Sequence, residues 1–204
     1  MSRVSIIGSG NVGANAAFFI AEKGVTDVLL IDIKQGLSRG KALDIMEAAP
    51  IRRYRNSLTG SDSLADIAGS QMVVIAAGAI RAPGMRREDL YGENAALIRA
   101  LAPEVARLAP ESVVVVATEP VDSLTALFAL RSGMPRTRVL GLGGILDSMR
   151  MRALIARELS VSMEVVSAMV IGRHSDDMIC LPRYCSVSGV PVTQLLPADR
   201  IANI

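Results

Sequence analysis

Three features of the sequence predict an α/β protein built on a doubly wound parallel sheet, followed by part of a second, mixed α/β region. A short apolar run, Arg3 to Ile7, passes through glycines at positions 8, 10 and 13 into a helical pattern. Further valine- and isoleucine-rich runs, at residues 27–31, 71–77 and 113–117, alternate with helical periods. Each run is apolar almost throughout, as strands are when helices cover both faces of a parallel sheet.

The first element carries the clearest chemistry. Gly8-Ser9-Gly10-Asn11-Val12-Gly13 has the GxGxxG spacing and stands between a strand and a helix. In that setting Gly8 makes the tight turn, Gly10 lets a pyrophosphate approach the backbone, and Gly13 lets helix pack on strand. The helix N-terminus, with Asn11 and Val12 in its first turn, attracts the phosphate charge. The second run ends at Asp32, about 20 residues past the last glycine, where a carboxylate accepts hydrogen bonds from an adenosine ribose. Asp32 would repel a 2′-phosphate, so the pattern favours NAD over NADP. An ordinary turn, with Asp32 capping the next segment, is the simpler alternative; strand, glycines and acid in this order argue against it.

Residues 36–49 read as a helix stopped by Pro50, residues 54–59 as a weaker strand, and residues 71–77 as a strong strand ending in Gly78. A glycine just past a strand's carboxyl end also permits cofactor approach, because open α/β sheets bind ligands there. Arg81, Arg86 and Arg87 surround Pro83-Gly84 in a segment that fits a lid or a solvated basic loop. Residues 94–108 read as the next helix, with Asn94 at its start a further cofactor-side candidate. A strand at 113–117, a helix at 123–130 and a short strand at 138–140 follow. Gly141-Leu142-Gly143-Gly144 then leads into a helix carrying Asp147 and Arg150, three apart and therefore on one face. Residues 165–171 read as a strand leading to His174, residues 179–182 and 184–187 as strand-like, and residues 198–204 as the first turns of a helix. His174 is the only histidine, and histidine exchanges protons near neutral pH without a perturbed pKa, which makes it a candidate acid/base.

Composition narrows the partners. A net charge of +2 from 22 basic and 20 acidic residues argues against a polyanion-binding surface, and 3% aromatics without tryptophan against base stacking, so no nucleic acid is expected. No run is long and apolar enough to suggest a membrane partner. Cys180 and Cys185 lack the further ligands of a metal site and read as reduced thiols. The Met1-Ser2-Arg3 start leads straight into a strand, which suits a cytoplasmic protein.

In order along the chain, the glycine loop, Asp32, Gly40-Lys41-Ala42-Leu43-Asp44, the Arg81-x-Pro-Gly-Met-x-Arg87 loop, Pro120-Val121-Asp122, Leu146-Asp147-Ser148-x-Arg150, His174-x-Asp176 and Leu181-Pro182-Arg183-Tyr184 resemble the lactate and malate dehydrogenase family, specifically malate dehydrogenases of the lactate-dehydrogenase-like type. The resemblance covers essentially the whole chain. It implies an NAD-binding Rossmann domain over residues 1–142 and the N-terminal part of an α/β substrate domain over residues 143–204, with the C-terminal part of that domain lacking. It also implies hydride transfer between (S)-malate and NAD to give oxaloacetate, a small dicarboxylate as partner, and a homo-oligomer. By the same resemblance His174 is the acid/base, Asp147 orients its imidazole, Arg150 holds the reacting carboxylate, Arg87 polarises the C2 carbonyl, and Arg81 selects a substrate with a second carboxylate. Arg86 is an extra, solvated cation.

Two departures from the family pattern stand out. Glu119 occupies the position of a pocket asparagine, where a carboxylate near a dianionic substrate would cost on the order of a few kcal/mol at an effective dielectric near 20 unless an arginine neutralises it. Arg173 and Ser175 flank His174 where the family has glycines. These features, with the lacking C-terminal part, leave open a catalytically impaired NAD-binding member; another 2-hydroxy-acid dehydrogenase is the remaining alternative, disfavoured by Arg81.

Overall fold

The computed structural model describes residues 2–80 and 82–204, apart from the side chains of residues 87 and 88. The chain forms two compact units, Met1–Gly141 and Leu142–Ile204. The first contains β1 (Arg3–Ile7), α1 (Asn11–Glu22), β2 (Asp27–Ile31), α2 (Leu37–Glu47), α3 (Ala49–Arg52), β3 (Leu58–Ser61), β4 (Met72–Ile75), α4 (Arg87–Leu108), β5 (Val113–Val116), α5 (Val121–Ser132) and β6 (Val139–Gly141). Its six strands are all parallel, in the order β3-β2-β1-β4-β5-β6. Strand order reverses between β1 and β4, so their carboxyl ends open into the crevice where doubly wound sheets bind ligands.

Alternation along the strands divides the core of this unit in two. Ile6, Val28 and Leu30 pack with Ala17 and Ala21 of α1 and Ala42 of α2. Their neighbours Ile7, Leu29 and Ile31, with Val73 and Ile75, pack with Ile98 and Val105 of α4 and Leu124 and Phe128 of α5. Successive side chains point to opposite faces and both faces are covered, which is why the sequence shows apolar runs without a period of two.

Three boundaries differ from the sequence expectation. Pro50 does not end a helix; it lies in the first turn of α3, where a missing N–H costs nothing. The strand expected at 54–59 begins at Leu58, and Tyr54 is instead a buried side chain whose hydroxyl donates to the Ile45 carbonyl. Burial pushes that phenol's pKa above its ordinary value. Helix α4 starts at Arg87, not Asn94: the Asp89 carboxylate accepts the Arg86 N–H at 3.3 Å and closes the first turn. The apolar period begins only later, so this charged turn reads as loop.

The second unit contains α6 (Gly144–Leu159), β7 (Val166–Ser167), β8 (Val170–Ile171), β9 (Ile179–Cys180), β10 (Ser186–Val187), β11 (Val190–Pro191), α7 (Val192–Leu195) and α8 (Ala198–Ala202). The strand expected over 165–171 is split. β7 pairs antiparallel with β10, which also pairs with β11, whereas β8 pairs with β9 in a separate hairpin. The core is one cluster that includes Met151 and Ile155 of α6 with Val166, Val170, Cys185 and Val192.

Candidate active site

In the first unit the cofactor candidates gather at the carboxyl ends of β1, β2 and β4. Gly8 has a φ of 104°, and a Cβ there would lie 2.5 Å from the Ala77 nitrogen. At Gly13 a Cβ would lie 1.8 Å from the Gly8 carbonyl oxygen. Gly10 is different: a Cβ there would meet nothing within 4 Å. Gly8 and Gly13 are therefore glycine because the protein's own backbone is too close, whereas Gly10 borders open space. Gly10 is the N-cap of α1 and no side chain caps this end, so the first-turn amides, those of Asn11 and Val12 among them, keep their capacity for an anion.

Asp32 is half-buried beside this loop. Its Oδ2 accepts the Ser9 backbone N–H at 2.8 Å and its Oδ1 accepts the Lys34 N–H at 3.0 Å. Two bonds leave a carboxylate further acceptor capacity for a ribose diol. Ser9 itself carried no sequence signal. Its Oγ is buried and has no hydrogen-bond partner among the described residues, so a polar atom is stranded within the glycine loop. Uncapped helix, open Gly10, aimed carboxylate and orphaned hydroxyl all fit a dinucleotide.

Gly78 and Asn94 have a structural task as well. A Cβ on Gly78 would lie 2.6 Å from Thr118 Cγ2 and 2.9 Å from Asn94 Oδ1. Buried Asn94 accepts the Ala79 N–H through Oδ1 at 2.7 Å and donates from Nδ2 to the Glu119 carbonyl at 2.7 Å. Thr118 Oγ1 donates to the Ala77 carbonyl at 2.7 Å. The loops leaving β4 and β5 are thus laced together. The Glu119 carboxylate turns to the start of α5 and accepts the Val121 N–H at 3.3 Å, a placement that the helix N-terminus favours.

The second unit brings His174 and Asp147 together. Asp147 lies in the first turn of α6 with its side chain 3% exposed, and its Oδ2 is 2.8 Å from His174 Nδ1. A carboxylate only accepts, so in this contact Nδ1 carries the hydrogen. Arg150 Nη1 is 3.4 Å from Asp147 Oδ1, and this side chain is 61% exposed, leaving most of its guanidinium fork available to a ligand.

What seats the pair leaves no signal in the sequence. Ser148 Oγ accepts the Val170 N–H at 3.0 Å and lies 3.5 Å from the Val170 carbonyl, tying α6 to β8. A Cβ on Gly144 would meet that same carbonyl oxygen at 2.6 Å. The helix that carries Asp147 and the hairpin that carries His174 therefore meet at one small-residue junction. Of the other arginines, Arg81 lies outside the described residues and Arg87 opens α4 with its side chain undescribed. Arg86 is exposed and paired with Asp89 at 3.0 Å, which holds the Asp89 carboxyl below the usual carboxylate range.

Residues 2–141 match the family model described as lactate/malate dehydrogenase, NAD binding domain. The chain belongs to the lactate/malate dehydrogenase family. Malate dehydrogenase of Thermomicrobium roseum is 46% identical over 202 residues, 99% of this chain and 65% of that protein. Malate dehydrogenase of Bacillus subtilis is 43% identical over 204 residues, again 99% of this chain and 65% of the other. The apo structure of Picrophilus torridus malate dehydrogenase matches with a TM-score of 0.93 at 41% identity, covering 99% of this chain and 64% of that one. Cryptosporidium parvum lactate dehydrogenase, solved with lactic acid and nicotinamide adenine dinucleotide, matches at 0.92 and 34% identity, covering 99% and 65%. The chain spans about 65% of the length of the curated relatives it matches. The glycine loop and Asp32 lie within the residues that match the family's NAD-binding domain.

Proposed function

We propose that this protein is an NAD-dependent malate dehydrogenase in which His174 is the acid/base. The observation that carries the reading is the His174 Nδ1 to Asp147 Oδ2 contact at 2.8 Å, with both side chains largely buried. NAD, when bound, supplies the acceptor for the hydride leaving C2 of (S)-malate. Gly10, with the first turn of α1, would hold its pyrophosphate, and Asp32 its adenosine ribose; Gly78 and Asn94 shape the loops at the neighbouring strand ends. His174 Nε2 takes the hydroxyl proton, and the buried Asp147 carboxylate stabilises the imidazolium so formed. Arg150 pairs with the carboxylate next to the reacting carbon. Arg87 polarises the C2 oxygen, and Arg81 pairs with the second carboxylate. Oxaloacetate is the product, and returning the proton and hydride reverses the reaction. A homo-oligomer in the cytoplasm goes with this reading.

Glu119 bears on competence. Its carboxylate is engaged at the start of α5, which lowers the cost of a negative charge in this loop. The test compares oxaloacetate with pyruvate as oxidants of NADH, for the parent chain and for Arg81→Gln. The parent should prefer oxaloacetate and the variant should lose much of that preference. An unchanged preference would remove Arg81 from substrate selection, and no oxaloacetate turnover by the parent would contradict the assignment as a whole.

A further inference from the structure

The residues around His174 depart from the family's glycines, and the structure shows what they do instead. Gly172, with a φ of 96°, turns the chain out of β8. Three bonds then close the loop on itself. The Ser175 N–H donates to the Arg173 carbonyl at 2.8 Å, the Met178 N–H to the Ser175 carbonyl at 3.0 Å, and the Asp177 N–H to Ser175 Oγ at 3.3 Å. Arg173 Nη2 donates to the Asp177 carboxylate across the loop. Arg173 and Asp177 are 69% and 68% exposed, so the added side-chain volume runs largely into solvent. Both side chains flanking His174 thus converge on Asp177.

We propose that Arg173, Ser175 and Asp177 form a strap that positions His174, with Asp177 also neutralising the cation that Arg173 places beside the imidazole. An exposed ion pair adds little to fold stability, so its consequence lies in local charge and loop geometry. An unpaired cation next to a histidine disfavours imidazolium, and an unpaired carboxylate favours it. Among the described residues of its unit, α6 carries Asp147, Arg150, Arg152, Arg157 and Glu158, of which Asp147 contacts the ring, and the loop carries Arg173, Asp176 and Asp177. Arg173 and Asp177 are joined across the loop that holds the ring. As positioning residues they act through His174, and the inference rests on the reading of His174 as the acid/base.

Because the chain has one histidine, its imidazole Hε1 resonance is a single, assignable probe. The experiment is a pH titration of that resonance in the full chain, in Asp177→Asn, in Arg173→Gly and in the double variant, with oxaloacetate turnover measured alongside. The titration midpoint should fall in Asp177→Asn, rise in Arg173→Gly, and return close to the parent value in the double variant. Simple loosening of the loop would move both single variants the same way. Shifts in one direction, or no shift in either single variant, would overturn the strap. Since the resonance titrates with or without turnover, opposite shifts in a chain inactive on oxaloacetate would overturn the proposed function and leave the strap standing.

Discussion

In the Met1–Gly141 unit the cofactor loop is held by the absence of side chains, whereas in the Leu142–Ile204 unit the histidine is held by their presence. Gly13 lets α1 press on the Gly8 carbonyl, and behind that junction lies a six-stranded sheet with helices on both faces. Ser148 bonds both polar groups of Val170, and behind it lie strands of two residues and one small core. Adding atoms breaks the first site at Gly8 and Gly13; the second shares that sensitivity at Gly144 but depends as well on a side chain, Ser148, whose removal breaks it.

The largest effect expected from this contrast is at Gly13. In Gly13→Ala the new methyl has no room without backbone movement, so a stability loss of about 1–3 kcal/mol is expected, together with loss of measurable NADH binding. Denaturant unfolding and calorimetric titration with NADH read the two consequences. Parental affinity in this variant would break the account of the loop. At Ser148 the deletion matters instead. Ser148→Ala leaves the Val170 N–H unsatisfied in a buried place and should cost about 1–3 kcal/mol, confined to the second unit. Hydrogen exchange at Val170 should accelerate while amides of β1 and β4 stay protected; acceleration in both would mean that the units do not hold their sites separately. The smallest effect is at Ser9. Its hydroxyl already lacks a partner, so Ser9→Ala should change stability by less than about 1 kcal/mol, in the stabilising direction. A clear destabilisation on denaturant unfolding would show that the hydroxyl has a partner after all.

How far the sequence could be read follows the same division. The parallel strands of the first unit are buried on both faces, so runs such as Val113–Val116 stand out as continuous apolar segments, and the glycine loop sits between two recognisable elements. A boundary set by a polar side chain leaves no such run, as at Asp89, whose bond to Arg86 starts α4 before the apolar period does. Strands of two residues, such as β7 and β8, carry no period at all, and the change of partner between Ser167 and Val170 leaves no trace in composition. At the site, His174, Asp147 and Arg150 were legible as an ordered motif. Ser148 and Gly144 were not, because their importance lies in one carbonyl and one amide of a residue more than 20 positions away. Ser9 was invisible for a similar reason: what marks it is a missing partner.

In the proposed function the His174–Asp147 pair performs acid/base chemistry on a dicarboxylate, with NAD as the hydride acceptor. The most direct measurement follows oxaloacetate-dependent NADH oxidation by the parent chain and by His174→Ala, with NADH affinity determined for both. Turnover should fall by roughly 10²- to 10⁴-fold in the variant while NADH affinity stays at the parent's value. Turnover by His174→Ala at the parent's rate would contradict the claim.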